Sequence, residues 1–340
     1  MVIDDNFYMS LALKEAWKYQ GLTYPNPPVG ALILDENNQI IAVEAHHKAG
    51  LPHAELNAIQ SALIKMGDTK IATLPTADEK HAYILKHHDK RFKGCNIYVT
   101  LEPCNHQGST PPCSLLLKTL GFNKLICGSI DPNQKATGGI QTLEESGTSV
   151  SVGVLKESCD TLIAPFKKWQ QNEPFVFFKL ALSANGVYDG GIITSKESRT
   201  LVHQMRDTID LLVIGGNTVR EDRPTLDSRL VDGKAPDILI LSKNKAFDKS
   251  IPLFNIPGRK VFIEENFDKI KQYHFIMIEG TQTMLQLTEK LVDWYCIFTS
   301  PSYKKGSTIQ INKDFTRVQC IQNKNDTIEW YQHKGQTYDT

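Results

Sequence analysis

The chain has 340 residues, of which 41% are hydrophobic and 22% charged. That is the composition of a soluble globular protein with enough apolar side chain to offset ordering entropy, which excludes disorder as its main state. Lys plus Arg number 38 and Asp plus Glu number 38, and this balance argues against a dedicated nucleic-acid binder.

At roughly 100–200 residues per domain, the length suggests two domains. The opening MVIDDNFYMS lacks the basic region and apolar run of a secretory leader. The longest apolar-rich stretch, Phe175 to Leu182, is too short for a bilayer and is broken by Lys179. The expected compartment is the cytoplasm, where thiols stay reduced. There, seven scattered cysteines favour a metal site over a disulfide framework.

In chain order, Phe7 to Gln20 has apolar residues at helical spacing and stops at Gly21. A turn rich in proline, Pro25 to Pro28, leads into the strand VGALILD, which can pair with Ile40 to Ala45 as a hairpin. The spacing predicts a helix over His53 to Lys65. The charge-rich stretch from Met66 to Lys93 reads as a solvated helical insertion. Strand Cys95–Leu101, helix Cys113–Leu120, strand Lys124–Ile130, helix Ile140–Ser146 and strand Ser149–Val152 follow. Leu155 to Gln170 reads as a linking helix, with a domain boundary near Gln171. Beyond it, strand FVFFKLALS precedes a helix at Ser195–Arg206 and strands at Asp210–Ile214, Asp237–Leu241, Lys260–Ile263 and Phe275–Ile278. A helix at Thr283–Lys290 and strands near Trp294–Thr299 and Asp326–Tyr331 complete the pattern. Helices alternating with short apolar strands predict an α/β fold in both halves.

Three segments carry the chemistry. His53-Ala54-Glu55 opens a helix, Pro103-Cys104 ends a strand, and Cys113 opens another helix after two prolines. One imidazole and two thiolates suit Zn²⁺ with a fourth position left open for water. A helix start also favours Cys113 as thiolate. Glu55 stands where it can take a proton from that water and hand it to a leaving amine, the H-x-E…P-C arrangement of zinc deaminases. Eight residues separate the two cysteines, more than in the usual C-x-x-C form. A structural zinc would need a fourth ligand, for which His106 is the nearest candidate.

The segment TLEPCNHQGSTPPC (Thr100 to Cys113), with PHAELNA, YPNPPVGA and the DPN at Asp131, closely resembles the bifunctional riboflavin-biosynthesis deaminase/reductase family. FFKLALSANG and GGNTVREDRPTLDSR (Gly215 to Arg229) resemble its reductase half. The resemblance runs from about Asn6 to about Val292 and implies a cytidine-deaminase-like α/β/α zinc domain over 1–150. A linker helix over 151–171 and a dihydrofolate-reductase-like NADPH domain over 172–340 would follow. Such proteins hydrolytically deaminate 2,5-diamino-6-ribosylamino-4(3H)-pyrimidinone 5′-phosphate. They then reduce the ribosyl group to ribityl with NADPH, giving 5-amino-6-ribitylamino-uracil 5′-phosphate.

Carried over residue by residue, the resemblance makes His53, Cys104 and Cys113 the zinc ligands and Glu55 the proton shuttle. Asn26, His46, His106, Asp131 and Asn133 would line the deaminase pocket. Ala181, Gly215, Gly216, Thr218, Asp222 and Gly280 would contact NADPH, with the two adjacent glycines letting backbone approach it. Lys179, Arg206, Leu226, Arg229 and Glu279 would hold the reductase substrate, where a guanidinium fork suits phosphate.

The sequence departs from the family at Ser109, where a basic residue often stands, and at Asn185, Ile192 to Thr194 and Thr281-Gln282. The alternative is a zinc deaminase of another nucleobase or nucleotide with a non-catalytic second half. A non-enzymatic zinc module fits less well with balanced charge and Glu55. The expected partners are a small-molecule substrate and further copies of the chain, with neither nucleic acid nor membrane.

Overall fold

The computed structural model describes residues 3–108, 110–189 and 191–335, so Ser109 lies outside the described residues. The chain divides into two compact units, Met1–Gln170 and Gln171–Thr340.

The first unit is built on a five-stranded sheet, order β2-β1-β3-β4-β5. Its strands are β1 (Gly30–Leu34), β2 (Ile40–Ala45), β3 (Asn96–Leu101), β4 (Lys124–Ser129) and β5 (Ser149–Val152). The hairpin β1–β2 and the β1–β3 pair are antiparallel, whereas β3, β4 and β5 run parallel.

Side chains alternate across the strands, so one face carries Ala31, Ile33, Ile97, Val99, Leu125 and Cys127. Helices α2 (Ala54–Lys65) and α4 (Cys113–Leu120) bury Ile59, Leu63, Leu116 and Leu120 against that face. The opposite face receives α1 (Asp5–Trp17), capped by the Asp4 carboxylate accepting from the Phe7 N–H. This contact is close because position 30 is glycine: a Cβ there would lie 2.0 Å from the Ala12 carbonyl oxygen.

Two expectations change. The insertion holds helix α3 (Ala77–His87), started by a Thr76/Glu79 capping box, but it is more than a solvated excursion. Ile71, Ile84 and Phe92 are buried in the core of this unit, and α3 packs on α4. The expected linking helix is two helices, α6 (Lys156–Leu162) and α7 (Ala164–Gln170), and both belong to the first unit. Pro165 has no N–H to continue the α6 hydrogen-bond ladder but is tolerated in the first turn of α7. Helix α6 seats Cys159 over Gly128, and the Leu162 carbonyl accepts from Gln20 Nε2 at 2.8 Å. Between these elements, α5 (Gly139–Glu145) connects β4 to β5.

In the second unit an eight-stranded sheet has the order β12-β13-β11-β6-β10-β7-β8-β9. Parallel strands β6 (Phe175–Ser183), β10 (Phe275–Glu279), β7 (Leu211–Gly215), β8 (Asp237–Leu241) and β9 (Val261–Glu264) form its centre and one side. Strand β11 (Trp294–Ser300) runs parallel to β6, and β13 (Asp326–His333) and β12 (Phe315–Asn323) complete it antiparallel. Phe178, Val213, Ile278 and Tyr295 pack on one face with Leu285 of α10 (Gln282–Thr288). Phe175, Phe177, Trp294 and Trp330 form an aromatic layer with edge and tilted contacts. Helices α8 (Lys196–Thr208) and α9 (Gly216–Asp222) flank β7 in sequence. Among the described residues no helix is long and apolar enough to cross a membrane.

Candidate active sites

In the first unit, His53 is the N-cap of α2, which puts Glu55 in the first turn with its side chain aimed into the same space. Cys104 follows the end of β3, and Cys113 is the first residue of α4. His53 Nδ1 lies 3.6 Å from Cys104 Sγ and 3.5 Å from Cys113 Sγ. The three donor atoms lie within 4.8 Å of one another. They fit Zn²⁺: one imidazole and two thiols converge on one point, and among the described residues no fourth metal-binding side chain joins them. His106 is exposed and outside this group.

The electrostatics prepare such a centre. The Cys104 thiol is pulled down to about 4, first by a hydrogen bond from the Cys113 thiol, against its own burial. His53 and the Cys113 N–H, 3.4 Å from Cys104 Sγ at the start of α4, add to this. The pair thus parts with a first proton easily, while Cys104 and burial hold the Cys113 thiol well up. Glu55 is 4% exposed, and burial pushes its carboxyl up to about 7.

A cavity of about 380 Å³ opens over these groups. It brings together every residue expected there from the sequence: Asn26, His46, His106, Asp131 and Asn133 all line it. His46 Nδ1 faces the Pro52 carbonyl at 3.0 Å, so Nε2 is free to accept from Asn26 Nδ2 at 3.3 Å. Burial lowers His46 to about 4, which keeps it neutral. Asp131 Oδ1 accepts from the Asn133 N–H at 2.8 Å, and burial raises its carboxyl to about 6.

Four further residues emerge only from the structure. Thr110 Oγ1 lies 3.3 Å from His53 Nε2 and is placed to accept its proton, fixing the ring with Nδ1 toward the cysteines. Glu102 accepts from the N–H groups of Gly138, Ile140 and Asp131, tying the loop after β4 to the end of β3. Phe166 and Gln170 of α7 form a wall of the cavity. Glu102 and Thr110 lie inside the motif itself, beside the ligands, and that adjacency was their available signal. Nothing local marks Phe166 or Gln170.

In the second unit Lys179 of β6 and Glu279 of β10 are register partners. The Glu279 carboxylate is clasped by Arg206 Nη2 at 2.9 and 3.0 Å, with Lys179 Nζ at 3.9 Å. Burial alone would raise Glu279, but Arg206 and then Lys179 outweigh it and hold the carboxyl below its usual value. Burial also lowers Lys179, against the pull of Glu279.

Lys179, Ala181, Arg199, Arg206 and Arg229 line a cleft of about 500 Å³ whose mouth carries Ile192 to Thr194. Arg206 Nε and His203 Nδ1 are buried without a hydrogen-bond partner among the described residues. Four cations lining one cleft, with a spare guanidinium donor, fit a phosphorylated ligand such as NADPH or a sugar phosphate.

The glycines expected to contact NADPH also have packing roles. A Cβ at Gly280 would lie 2.5 Å from Met284 Cβ, one at Gly215 would lie 3.3 Å from Met284 Cγ, and one at Gly216 would lie 2.6 Å from Ser242. Packing of α10 and of the β8 end therefore already demands glycine at positions 280 and 216 and presses on 215. Thr218 lies in α9 near Gly215, while Asp222 ends that helix in solvent. Leu226 is buried with φ +54°, outside the cleft lining.

The departures from the family pattern have local partners. Asn185 bonds both backbone groups of Lys304, and Gln282 pairs with the backbone of Gln310.

Residues 2–129 match the family model for the cytidine and deoxycytidylate deaminase zinc-binding region, and residues 174–303 match that for the RibD C-terminal domain. The riboflavin biosynthesis protein RibD of Synechocystis is 35% identical over 297 residues, covering 84% of this chain and 73% of that protein. RibD of Aquifex aeolicus is 34% identical over 70% of this chain and 61% of its own length. The crystal structure of a diaminohydroxyphosphoribosylaminopyrimidine deaminase/5-amino-6-(5-phosphoribosylamino)uracil reductase from Thermotoga maritima superposes with a TM-score of 0.63 at 26% identity. That match covers 96% of this chain and 98% of the other. The chain belongs to the RibD family of bifunctional riboflavin-biosynthesis enzymes, with a zinc-dependent deaminase half and an NADPH-dependent reductase half.

Proposed function

We propose that the first unit removes ammonia from a diaminopyrimidine carrying a ribosylamino phosphate, and that the second reduces the ribosyl group of the product to ribityl. The observation that carries this reading is the convergence of His53, Cys104 and Cys113 beside Glu55, at the cavity edged by Asn26, His46 and Asp131. Zinc, when bound by the three ligands, lowers the pKa of water and supplies a nucleophile at neutral pH.

The other duties fall on the chain. Glu55, with a carboxyl poised near 7, takes a proton and returns it to the departing amine. The neutral His46–Asn26 pair and the Asp131 loop present hydrogen-bonding groups that suit the edge of a pyrimidine. NADPH supplies hydride to the second unit, where Arg206, Arg229 and Lys179 hold anionic and hydroxyl groups of the substrate and Glu279 keeps the cations in place. Reading the chain as a cytoplasmic homo-oligomer rests on the family likeness, and sedimentation of the purified protein tests the assembly.

The direct test uses zinc-loaded protein with the diaminopyrimidine ribosyl phosphate, following ammonia release and NADPH absorbance together. Ammonia release preceding NADPH loss is expected. Ammonia without NADPH oxidation would leave only the deaminase, and neither signal would overturn the substrate assignment.

A further inference from the structure

The segment between α9 and β8 presents Arg229 to the reductase cleft, and its conformation is an unusual one. Leu226 has φ +54°, a left-handed conformation that a side chain with a Cβ rarely adopts unless its surroundings impose it. The bonds of Ser228 to Lys234, Val231 and Gly233 close the tip of the segment, beyond Leu226.

Arg259, just before β9, the neighbour of β8, reaches this turn. Its guanidinium donates to three different backbone carbonyls: Nε to Pro236 at 2.9 Å, Nη1 to Thr225 at 2.7 Å, and Nη2 to Leu226. Two of these carbonyls flank the strained turn, and the third lies at the far end of the same loop. The planar fork of an arginine can reach all three at once, whereas a lysine ammonium cannot match that geometry. Just past the clamp, the Asp227 carbonyl accepts from Arg206 Nη1 at 3.5 Å and the Asp227 carboxylate pairs with Arg229 at 2.6 Å. Arg259 is absent from the cleft lining, so it would act through the loop.

We propose that Arg259 is a positioning residue of the reductase half, which clamps loop 225–236 and so fixes Leu226 and sets Arg229 and Asp227 against Arg206. The proposal rests on the reductase reading of this cleft. It adds to the expected substrate contacts a residue that touches neither substrate nor cofactor.

The test uses full-length Arg259→Gln and Arg259→Lys with both activities measured in the same chain. Arg259→Gln should raise the reductase KM for the pyrimidine about tenfold or more with a smaller change in kcat, and Arg259→Lys should fall between it and wild type. Deaminase kcat/KM should not move. Hydrogen exchange should quicken in 225–236 while the β10 amides of 275–279 keep their protection.

An unchanged KM with unchanged exchange would overturn the proposal. So would exchange quickening equally across β7 and β10, which would mark a general loss of stability. A wild-type chain that oxidises no NADPH would sink the reductase reading itself, and the exchange pattern would still decide whether Arg259 holds the loop.

Discussion

The two units each bury a glutamate at the centre of their site and use it in opposite ways. Glu55 sits beside His53, Cys104 and Cys113, and burial, only partly offset by His53, drives its carboxyl up to about 7. Glu279 is also largely enclosed, yet Arg206 and Lys179 hold its carboxyl below the usual value. The residue type is the same, and both side chains are largely withdrawn from water. The neighbouring charge decides whether the carboxyl can exchange a proton near neutral pH or stands as a fixed anion. A proton carrier suits hydrolytic loss of an amine, and a fixed anion suits a site that must keep several cations ordered for a phosphorylated ligand.

The contrast breaks most visibly at Glu55. Glu55→Gln should lower ammonia release by about 10²–10⁴-fold, the usual range for losing a positioned proton-transfer group. Zinc content by metal analysis should stay at one per chain, because Glu55 is not among the converging ligands.

The second unit should respond in stability as well as activity. Glu279→Gln leaves Arg206 and Lys179 buried beside each other, and breaking such a cluster costs about 3–5 kcal/mol, read from denaturant unfolding. The sign with pH follows from the lowered carboxyl. Its contribution is complete above the ordinary glutamate value and is lost as pH falls through the lower folded value, so the variant and wild type should converge in acid.

A smaller effect sharpens the first site. Thr110→Val should weaken zinc binding about 10–100-fold in competition with a chromogenic chelator, while Thr110→Ser should keep it, since the hydroxyl orients His53. The smallest concerns the α7 wall. Asp160 accepts from Ser129 Oγ at 2.5 Å and pairs with Lys167 and Lys156, joining α6 and α7 to β4. Asp160→Asn should loosen Phe166 and Gln170 and raise the deaminase KM a few-fold with kcat retained, as expected from a slight misplacement of a binding wall.

The deaminase site was legible because its ligands stand at helix starts and a strand end inside short motifs, where turn chemistry and spacing fix geometry locally. Asn26, His46, His106, Asp131 and Asn133 meet around one cavity for the same reason. Other features escaped because their cause is tertiary. Strand β12 is a half-exposed edge with a bulge between Arg317 and Gln319, so FTRVQCIQN shows little apolar periodicity. The break between α6 and α7 was written in Pro165 but masked by helical spacing on both sides. Phe166 and Gln170 acquire a role only when α7 folds back over the cavity. The packing that also requires glycine at 216 and 280, against Ser242 and Met284, is tertiary and left no mark in the sequence. Arg259 lies far along the chain from the loop it clamps, and no motif marks it.

The most direct measurement assays two single variants, Glu55→Gln and Glu279→Gln, in both activities, supplying the reductase with the already deaminated pyrimidine. Glu55→Gln should release almost no ammonia yet oxidise NADPH at the wild-type rate, and Glu279→Gln should do the reverse. Loss of both activities in either variant, or ammonia release undiminished in Glu55→Gln, would contradict the division of labour between the two buried glutamates.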